Sequence, residues 1–300
     1  MNPSGLIECF QSASCLVTQA TSGLIVGMLL FLVAAGLTLI FGVLKVINFT
    51  HGSFYMLGAY FAYTILRATG SFALAIAGGA LAAGSVGLVF ERLFMSRVYG
   101  ANVLMQLLVC YAFILIFDDL VRIGWGLDFL SMGMPETFQM PPFSLAGGIV
   151  PAYYAFLLAL TFAIALGLWF VLGRTWAGKM VRAAAHNPTM VSALGINTQL
   201  VYSLVFALGA LLAGLGGALA APVRSLVPGM GFSILIESFI VTVIGGMGSI
   251  AGALVGSLLI GLMRVFGSLG FPLFTDAIMF LFMCAVLVAK PSGLLGREAD

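Results

Sequence analysis

Charge is what this sequence has least of. Asp, Glu, Lys and Arg make up only 7% of its 300 residues, where soluble domains carry about 25%. Twelve Lys and Arg and ten Asp and Glu cannot clothe a water-facing surface of that length. Hydrophobic residues reach 62% and the mean hydropathy is +1.19. Soluble domains are therefore excluded, and the chain reads as one that crosses a bilayer many times. A net charge of +2 on scattered residues excludes a nucleic-acid groove. Cysteine is scarce too. Cys9, Cys15, Cys110 and Cys284 lack zinc-like spacing. Cys110 and Cys284 lie in apolar runs and read as buried thiols, while Cys9 and Cys15 can pair if their end faces an oxidising compartment. No early Lys or Arg supplies the basic region of a cleavable signal peptide. No Ser-His-Asp or HExxH pattern is present, so no enzyme chemistry is expected. No soluble domain is visible, so nucleotide hydrolysis or solute capture would fall to other chains.

The few charges divide the rest into spans. Uncharged stretches long enough to cross run over Gly23–Leu44, from Lys45 to Arg67, and over Phe72–Phe90, Val103–Val121, Tyr153–Leu172, Leu200–Ala221, Ala251–Val265 and Leu273–Ala289. Ser233–Ile244 is apolar but short and holds Glu237, so it is either a crossing that extends toward Ile250 or a half-helix. The expected fold is all-α and polytopic, a single transmembrane domain over 1–300 with about eight or nine membrane segments, short or broken helices among them. Residues 124–150, with their prolines and glycines, read as an external loop, and 173–199 as a polar loop on the other side. Basic residues in short loops set orientation. Placing Lys45, Arg92, Arg97, Arg174, Lys179, Arg182, Lys290 and Arg297 inside leaves Arg67, Arg122, Arg224 and Arg264 outside. That bias favours an outside N-terminus and a cytoplasmic C-terminus.

Two phosphate-binding patterns fail on inspection. Gly173 to Lys179 has phosphate-loop spacing, but Met180 stands where Ser or Thr would hold magnesium. Gly246-Met247-Gly248 lacks both the third glycine, where Ala251 stands, and an acidic residue about twenty positions on. The 38 glycines have a different use. Gly23 and Gly27, and Gly248, Gly252 and Gly256, are spaced four apart, which puts small residues on one helix face for close packing, or alternatively lines a pore with backbone. Tight packing of many helices implies a transporter or channel body.

Candidate chemistry is sparse. Asn48, His51 and Asn102 lie near span ends, where they either contact a solute or tie helices together. Glu237 is an intramembrane acid that either lines a path or pairs with Arg224 or Arg264. Asp118 and Asp119, beside Arg122, mark a span end, because adjacent helical residues point apart. The polar loop is the strongest feature. It is helix-compatible over Gly178–Leu194, with Val181, Ala184, Ala185 and Ala193 for packing, and Arg182 and His186 sharing an edge. It suits a docking helix for a soluble partner.

That loop, Thr175-x-x-Gly178-x-x-x-Arg182-Ala183 followed by Ala193, Gly195, Ile196 and Asn197, resembles the cytoplasmic coupling loop of branched-chain amino acid ABC transporter permeases, LivH-type subunit. Asn48-Phe-x-His51-Gly52 with Gly58-Ala59, the block Gly245-Gly246-x-Gly248-Ser249-x-x-Gly252-Ala253-x-x-Gly256, and the tail Lys290-Pro291-Ser-Gly293-Leu294-x-Gly296 resemble the same family, in order from 45 to 296. The resemblance implies an importer subunit in the bacterial inner membrane, embedded in lipid. Its partners would be a second, LivM-type permease, two cytoplasmic ABC ATPases and a periplasmic or surface-tethered binding protein. The chain itself would hold no cofactor, since ATP and Mg would bind the ATPase partners. Thr175, Gly178, Arg182, His186 and Gly195 would couple ATPase motion to the membrane. Asn48, His51, Glu237, Gly245, Gly246, Gly248 and Gly252 would belong to the translocation region, and Trp125–Pro142 to an external docking surface. The implied cargo is branched-chain amino acids or related small carboxylates and amides, aromatic acids included. The competing readings are a carrier driven by an ion gradient through His51 or Glu237, and a scaffold without a solute path.

Overall fold

The computed structural model describes residues 3–145 and 147–296; Arg297, one of the basic residues placed inside, lies outside the described residues. The elements are α1 (Pro3–Gln11), α2 (Ala13–Leu44), α3 (His51–Thr69), α4 (Phe72–Phe90), a π-helical turn (Glu91–Met95), α5 (Ser96–Val98), α6 (Val103–Trp125), the hairpin β1 (Phe143–Leu145) and β2 (Gly148–Val150), α7 (Ala152–Arg174), α8 (Trp176–His186), α9 (Pro188–Ala193), α10 (Thr198–Ala220), α11 (Met230–Gly245), α12 (Ile250–Gly270) and α13 (Thr275–Ala289). Seven of the described helices are long and apolar enough to cross a membrane, and α11 is a shorter apolar one. The second expected span, α3, is of similar length but carries three tyrosines, two threonines, His51 and Arg67. Its first half, His51 to Tyr60, is buried inside the bundle, whereas Thr64, Arg67 and Thr69 near its end are exposed.

Burial follows composition. α2 and α10, rich in small residues, form the centre, whereas α6, α7 and α13 present most of their surface outward. Exposed Leu104, Leu108, Trp169, Phe170, Leu281 and Val288 on those outer helices suit hydrocarbon. Between centre and rim an aromatic cluster joins four helices: Phe54, Phe90, Phe117 and Phe206 pack with centroids about 6 Å apart, and Phe113 meets Phe90 at 4.8 Å. Much of the phenylalanine is therefore internal.

The bundle contains an internal symmetry. α2 lies along α12 as α10 lies along α4; α2 meets α11 as α10 meets α3; α3 pairs with α4 as α11 pairs with α12. Exchange of α2–α3–α4 with α10–α11–α12 reproduces the pattern. The two contacts on the axis are reciprocal: a side chain at Gly36 would strike the Gly209 carbonyl and one at Gly209 the Gly36 carbonyl, and Gly52 and Gly231 are related in the same way. α2 and α10 run in opposite directions, since Leu29 and Val33 face Gly216 while Ile40 faces Gly209. This is an inverted repeat, an architecture common among transporters. The capping of α4 and α12 repeats as well. Gly70 and Gly248 have positive φ, and Ser71 and Ser249 follow as N-caps, accepting from the amides of Leu74 and Gly252.

The two ends of the bundle differ. At one, α1 is tied to α2 by a Cys9–Cys15 disulfide. The hairpin rests on α2 there, the Ser14 hydroxyl donating to the Gly147 carbonyl (2.8 Å) and the Ile149 amide to Thr18 Oγ1 (3.3 Å). Helix α6 continues to Trp125, so the loop expected from 124 begins at Gly126. Trp125 donates from Nε1 to Thr64 Oγ1 at 2.7 Å, and Leu130 bridges Leu226. The other end carries Lys45, α8, α9 and the C-terminal tail. Of the two thiols expected to be buried, Cys110 is buried, but Cys284 is exposed, because α13 sits at the rim.

Candidate functional site

The centre of the bundle is built on a broken helix. α2 ends at Lys45, whose φ of 58° stops it in the left-handed region. The chain then turns back into the bundle as irregular backbone, with Val46, Asn48 and Thr50 buried. α3 begins at His51, beside Gly36, which meets Gly209 at the midpoint of α10. Non-helical backbone at membrane depth survives only inside protein or along a cavity. Here Asn48 satisfies it locally, accepting from the Thr50 amide at 3.1 Å and from the Thr50 hydroxyl. His51 Nε2 donates to the Val33 carbonyl at 2.9 Å. The imidazole thereby ties α3 to α2, the structural alternative of the two readings. Among the described residues, Asn48 Nδ2 and His51 Nδ1 are buried without partners. Asn102 is a helix cap, accepting from the Met105 amide at 2.8 Å.

Glu237 is buried on α11 and pairs with Arg264 of α12. Its Oε2 has no hydrogen-bond partner among the described residues. Glu237 thus joins α11 to α12 through an ion pair. Asp119 pairs with Arg122 at 3.2 Å, in the open. Sequence reading passed over a second buried acid. Glu91, in the π-helical turn, accepts from Ser203 Oγ at 2.6 Å and Tyr99 Oη at 2.8 Å. Ser, Tyr and Glu far apart in sequence give no spacing signal, although π-helical turns often mark functional places.

The glycine block forms a compact turn. Gly245 and Gly252 approach so closely that either Cβ would enter the other's backbone. Gly246 and Gly248, with φ of 99° and 91°, reverse the chain between α11 and α12 in a region other residues rarely adopt. The tail seats on this turn, as the amides of Leu294 and Leu295 donate to the carbonyls of Ile244 (2.8 Å) and Gly245 (3.0 Å). Gly248 also abuts Gly42. Each glycine in the block is explained by backbone approach.

The polar loop folds as two helices broken at Asn187-Pro188. Thr175 Oγ1 caps α8, accepting from the Gly178 amide at 3.3 Å. A side chain at Gly178 would meet the Val171 and Leu172 carbonyls, so glycine allows α8 to turn sharply off α7. Asn187 caps α9 through the Met190 amide (2.9 Å), and Gly195 with φ of 82° ends it. Val181, Ala184 and Ala185 pack on Leu39, Val43, Val201 and Val205 of α2 and α10. Ala193 is exposed, and Val191 takes the inward position. Arg182 and His186 face out, together with Trp176, Met190 and Leu194, which are 70%, 61% and 74% exposed. Sequence reading missed these three apolar residues; their signal was Met and Leu standing on an otherwise polar face. Among the described residues, no group of three His, Cys, Asp or Glu could hold a metal ion.

Residues 19–287 match the family model described as branched-chain amino acid transport system, permease component. The chain is 30% identical over 292 residues to the high-affinity branched-chain amino acid transport system permease protein BraD of Pseudomonas aeruginosa, covering 93% of this chain and 95% of the relative. It is 29% identical over 295 residues to LivH of Escherichia coli, with the same coverage, and 30% identical over 292 residues to a probable LivH of Methanocaldococcus jannaschii, covering 90% and 89%. PsaBC from Streptococcus pneumoniae, solved with a Fab, aligns over 98% of this chain and 96% of its own at 13% identity, with a TM-score of 0.49, too distant to define the fold. By the family match and the long alignments, the chain belongs to the branched-chain amino acid transport system permease family.

Proposed function

We propose that this chain is a membrane-spanning subunit of an ATP-driven importer for branched-chain amino acids or related small carboxylates and amides, with aromatic acids in the same chemical range. The observation that carries this is the family match over residues 19–287. In this reading the chain holds no nucleotide. It pairs with a LivM-type permease, two cytoplasmic ABC ATPases bind ATP and Mg, and a periplasmic or surface-tethered binding protein delivers solute at the end carrying α1 and the Gly126–Pro151 loop. Two features support a bacterial inner-membrane placement with α8 and the C-terminus in the cytoplasm: basic residues gather at the α8 end, and the disulfide marks the other end as facing an oxidising compartment.

α8 and α9 are the coupling element. Arg182 and His186 supply charge and hydrogen bonds, and Trp176, Met190 and Leu194 supply apolar area for a groove on an ATPase. Thr175, Gly178 and Gly195 set the geometry that presents them. ATPase closure pushes α8, which rests on α2 and α10. Those helices touch at Gly36 and Gly209 beside His51, so the push reaches the broken helix. The path runs past Asn48, His51 and Glu237, with Gly245, Gly246, Gly248 and Gly252 shaping its cytoplasmic mouth.

The test is purification of the tagged chain from native membranes in mild detergent, with mass spectrometry of what is retained, for wild type and Arg182→Glu. Wild type is expected to bring down a second permease and two ATPases. Arg182→Glu is expected to insert normally and lose the ATPases or ATP-coupled uptake. Recovery of the chain alone under crosslinking, with uptake driven by an ion gradient, would replace the importer by a carrier. Normal uptake and complex recovery by Arg182→Glu would remove Arg182 from the coupling element.

A further inference from the structure

A crevice of about 300 Å³ opens between α2, α12 and the start of α13. That is the lower edge of the range for small-molecule sites, about 300–1,000 Å³. Val26, Val265 and Pro272 form apolar wall, and Arg264, Ser268 and Asp276 bring polar groups to it. A larger hollow near Phe72, Phe138 and Phe156 has almost wholly apolar walls and offers nothing to a charged solute.

The Glu237–Arg264 pair stands behind this crevice and is unevenly buried. The Arg264 side chain is 31% exposed and that of Glu237 only 9%. Part of the Arg264 side chain therefore reaches the opening, although its Nη1 is buried against Glu237 and the carboxylate is sealed within. Asp276 is exposed and in no ion pair among the described residues. Arg and Asp facing one space do not suit lipid. Water or a neighbouring subunit must cover this face.

The inverted repeat separates function from architecture. Glu237 lies six residues after Gly231, and the residue six after the equivalent Gly52 is Gly58. Arg264 lies fifteen residues after the capping Ser249, and the residue fifteen after Ser71 is Val86. The first repeat thus builds the same helix pairings with glycine and valine where the second has a buried ion pair. Burying charge is costly even when paired, so the fold itself gives no reason for Glu237 and Arg264.

We propose that this crevice receives a zwitterionic amino acid with an apolar side chain. Arg264, still paired with Glu237, binds its carboxylate through the part of the side chain open to the crevice, Asp276 binds its ammonium group, and Val26, Val265 and Pro272 cover its aliphatic part. The assignment rests on the importer reading and names the ligand class of its path. The contacts are ionic, with no bond made or broken: Glu237 stays the counterion of Arg264 throughout, and the solute brings one charge of each sign.

The experiment uses the whole transporter complex in proteoliposomes, with ATP on the α8 side and leucine-loaded binding protein on the other. Arg264→Gln alone leaves Glu237 unpaired and risks misfolding. The informative variants are therefore Glu237→Gln/Arg264→Gln, a neutral pair, and Asp276→Asn at an exposed position. Both are expected to assemble with the same partners as wild type and to lower leucine uptake roughly tenfold or more, the usual scale for losing a hydrogen bond to a charged group. Wild-type uptake by either assembled variant overturns the site. Absence of ATP-driven uptake of leucine, of a short amide and of an aromatic acid by the wild-type complex overturns the importer reading itself, a result separable from the first.

Discussion

The reciprocal glycine contact at the start of α3 and α11 yields a sharp stability prediction. A methyl group at Gly52 would overlap the Gly231 carbonyl and come within 2.9 Å of the Leu235 Cβ, and one at Gly231 would sit 2.6 Å from the Gly52 carbonyl oxygen. Neither obstacle is a flexible side-chain tip, so the helices must part. Overpacking of this kind costs about 1–3 kcal/mol. Because one separation makes room for both methyl groups, Gly52→Ala/Gly231→Ala should cost little more than one single variant, a coupling of about 1–2 kcal/mol. Gly167→Ala is the control, since that glycine lies within α7 with nothing within 4 Å. There the same substitution should stabilise by about 0.5–1 kcal/mol. Reversible unfolding of the purified chain in mild detergent measures all four proteins. Additive single effects, or a Gly52→Ala variant as stable as Gly167→Ala, would refute the reciprocal contact.

Two further outcomes follow from other buried groups. Glu91→Leu leaves the Ser203 and Tyr99 hydroxyls without an acceptor and should cost about 2–4 kcal/mol in the same assay, whereas Glu91→Gln, which still offers a carbonyl oxygen, should cost about 1 kcal/mol; equal losses would show that the network contributes nothing. Cys9 and Cys15 should be found joined in a non-reduced digest and, once reduced in intact cells, should react with a membrane-impermeant maleimide. Labelling only in inverted vesicles would reverse the proposed orientation.

Much of the membrane topology can be read from where the charges stand, because in so apolar a chain each interrupts a span. The polar loop was expected as one helix over Gly178–Leu194, whereas Asn187 caps a second helix after a break at Asn187-Pro188, because proline cannot donate to the preceding turn. Two further features were not legible. The start of α3 at mid-depth leaves no compositional trace beyond Asn48, Thr50 and His51, which equally suit an ordinary loop at the membrane surface. What places them inside is the return of the chain beside Gly36 and Gly209, a contact between residues 173 positions apart. Glu237 stood out as a charge in an apolar run, yet Arg224 and Arg264 were equally available on sequence grounds. Helix packing makes the choice, setting α11 on α12 so that Glu237 meets Arg264.

The inverted repeat was present in the sequence as Gly70-Ser71 and Gly248-Ser249, two short matches too weak to register without the fold. Once the helices are superposed in mind, the repeat shows which residues the architecture needs and which it does not. Glycines fall at the contacts on the axis in both halves, because two backbones must meet there, and serine caps open the equivalent helices. The ion pair has no counterpart. A scaffold that can close with Gly58 and Val86 in one half carries Glu237 and Arg264 at the equivalent places in the other, at a cost in solvation free energy. That asymmetry, more than the burial of any single acid, directs the search for the solute to the α12–α13 side of the bundle.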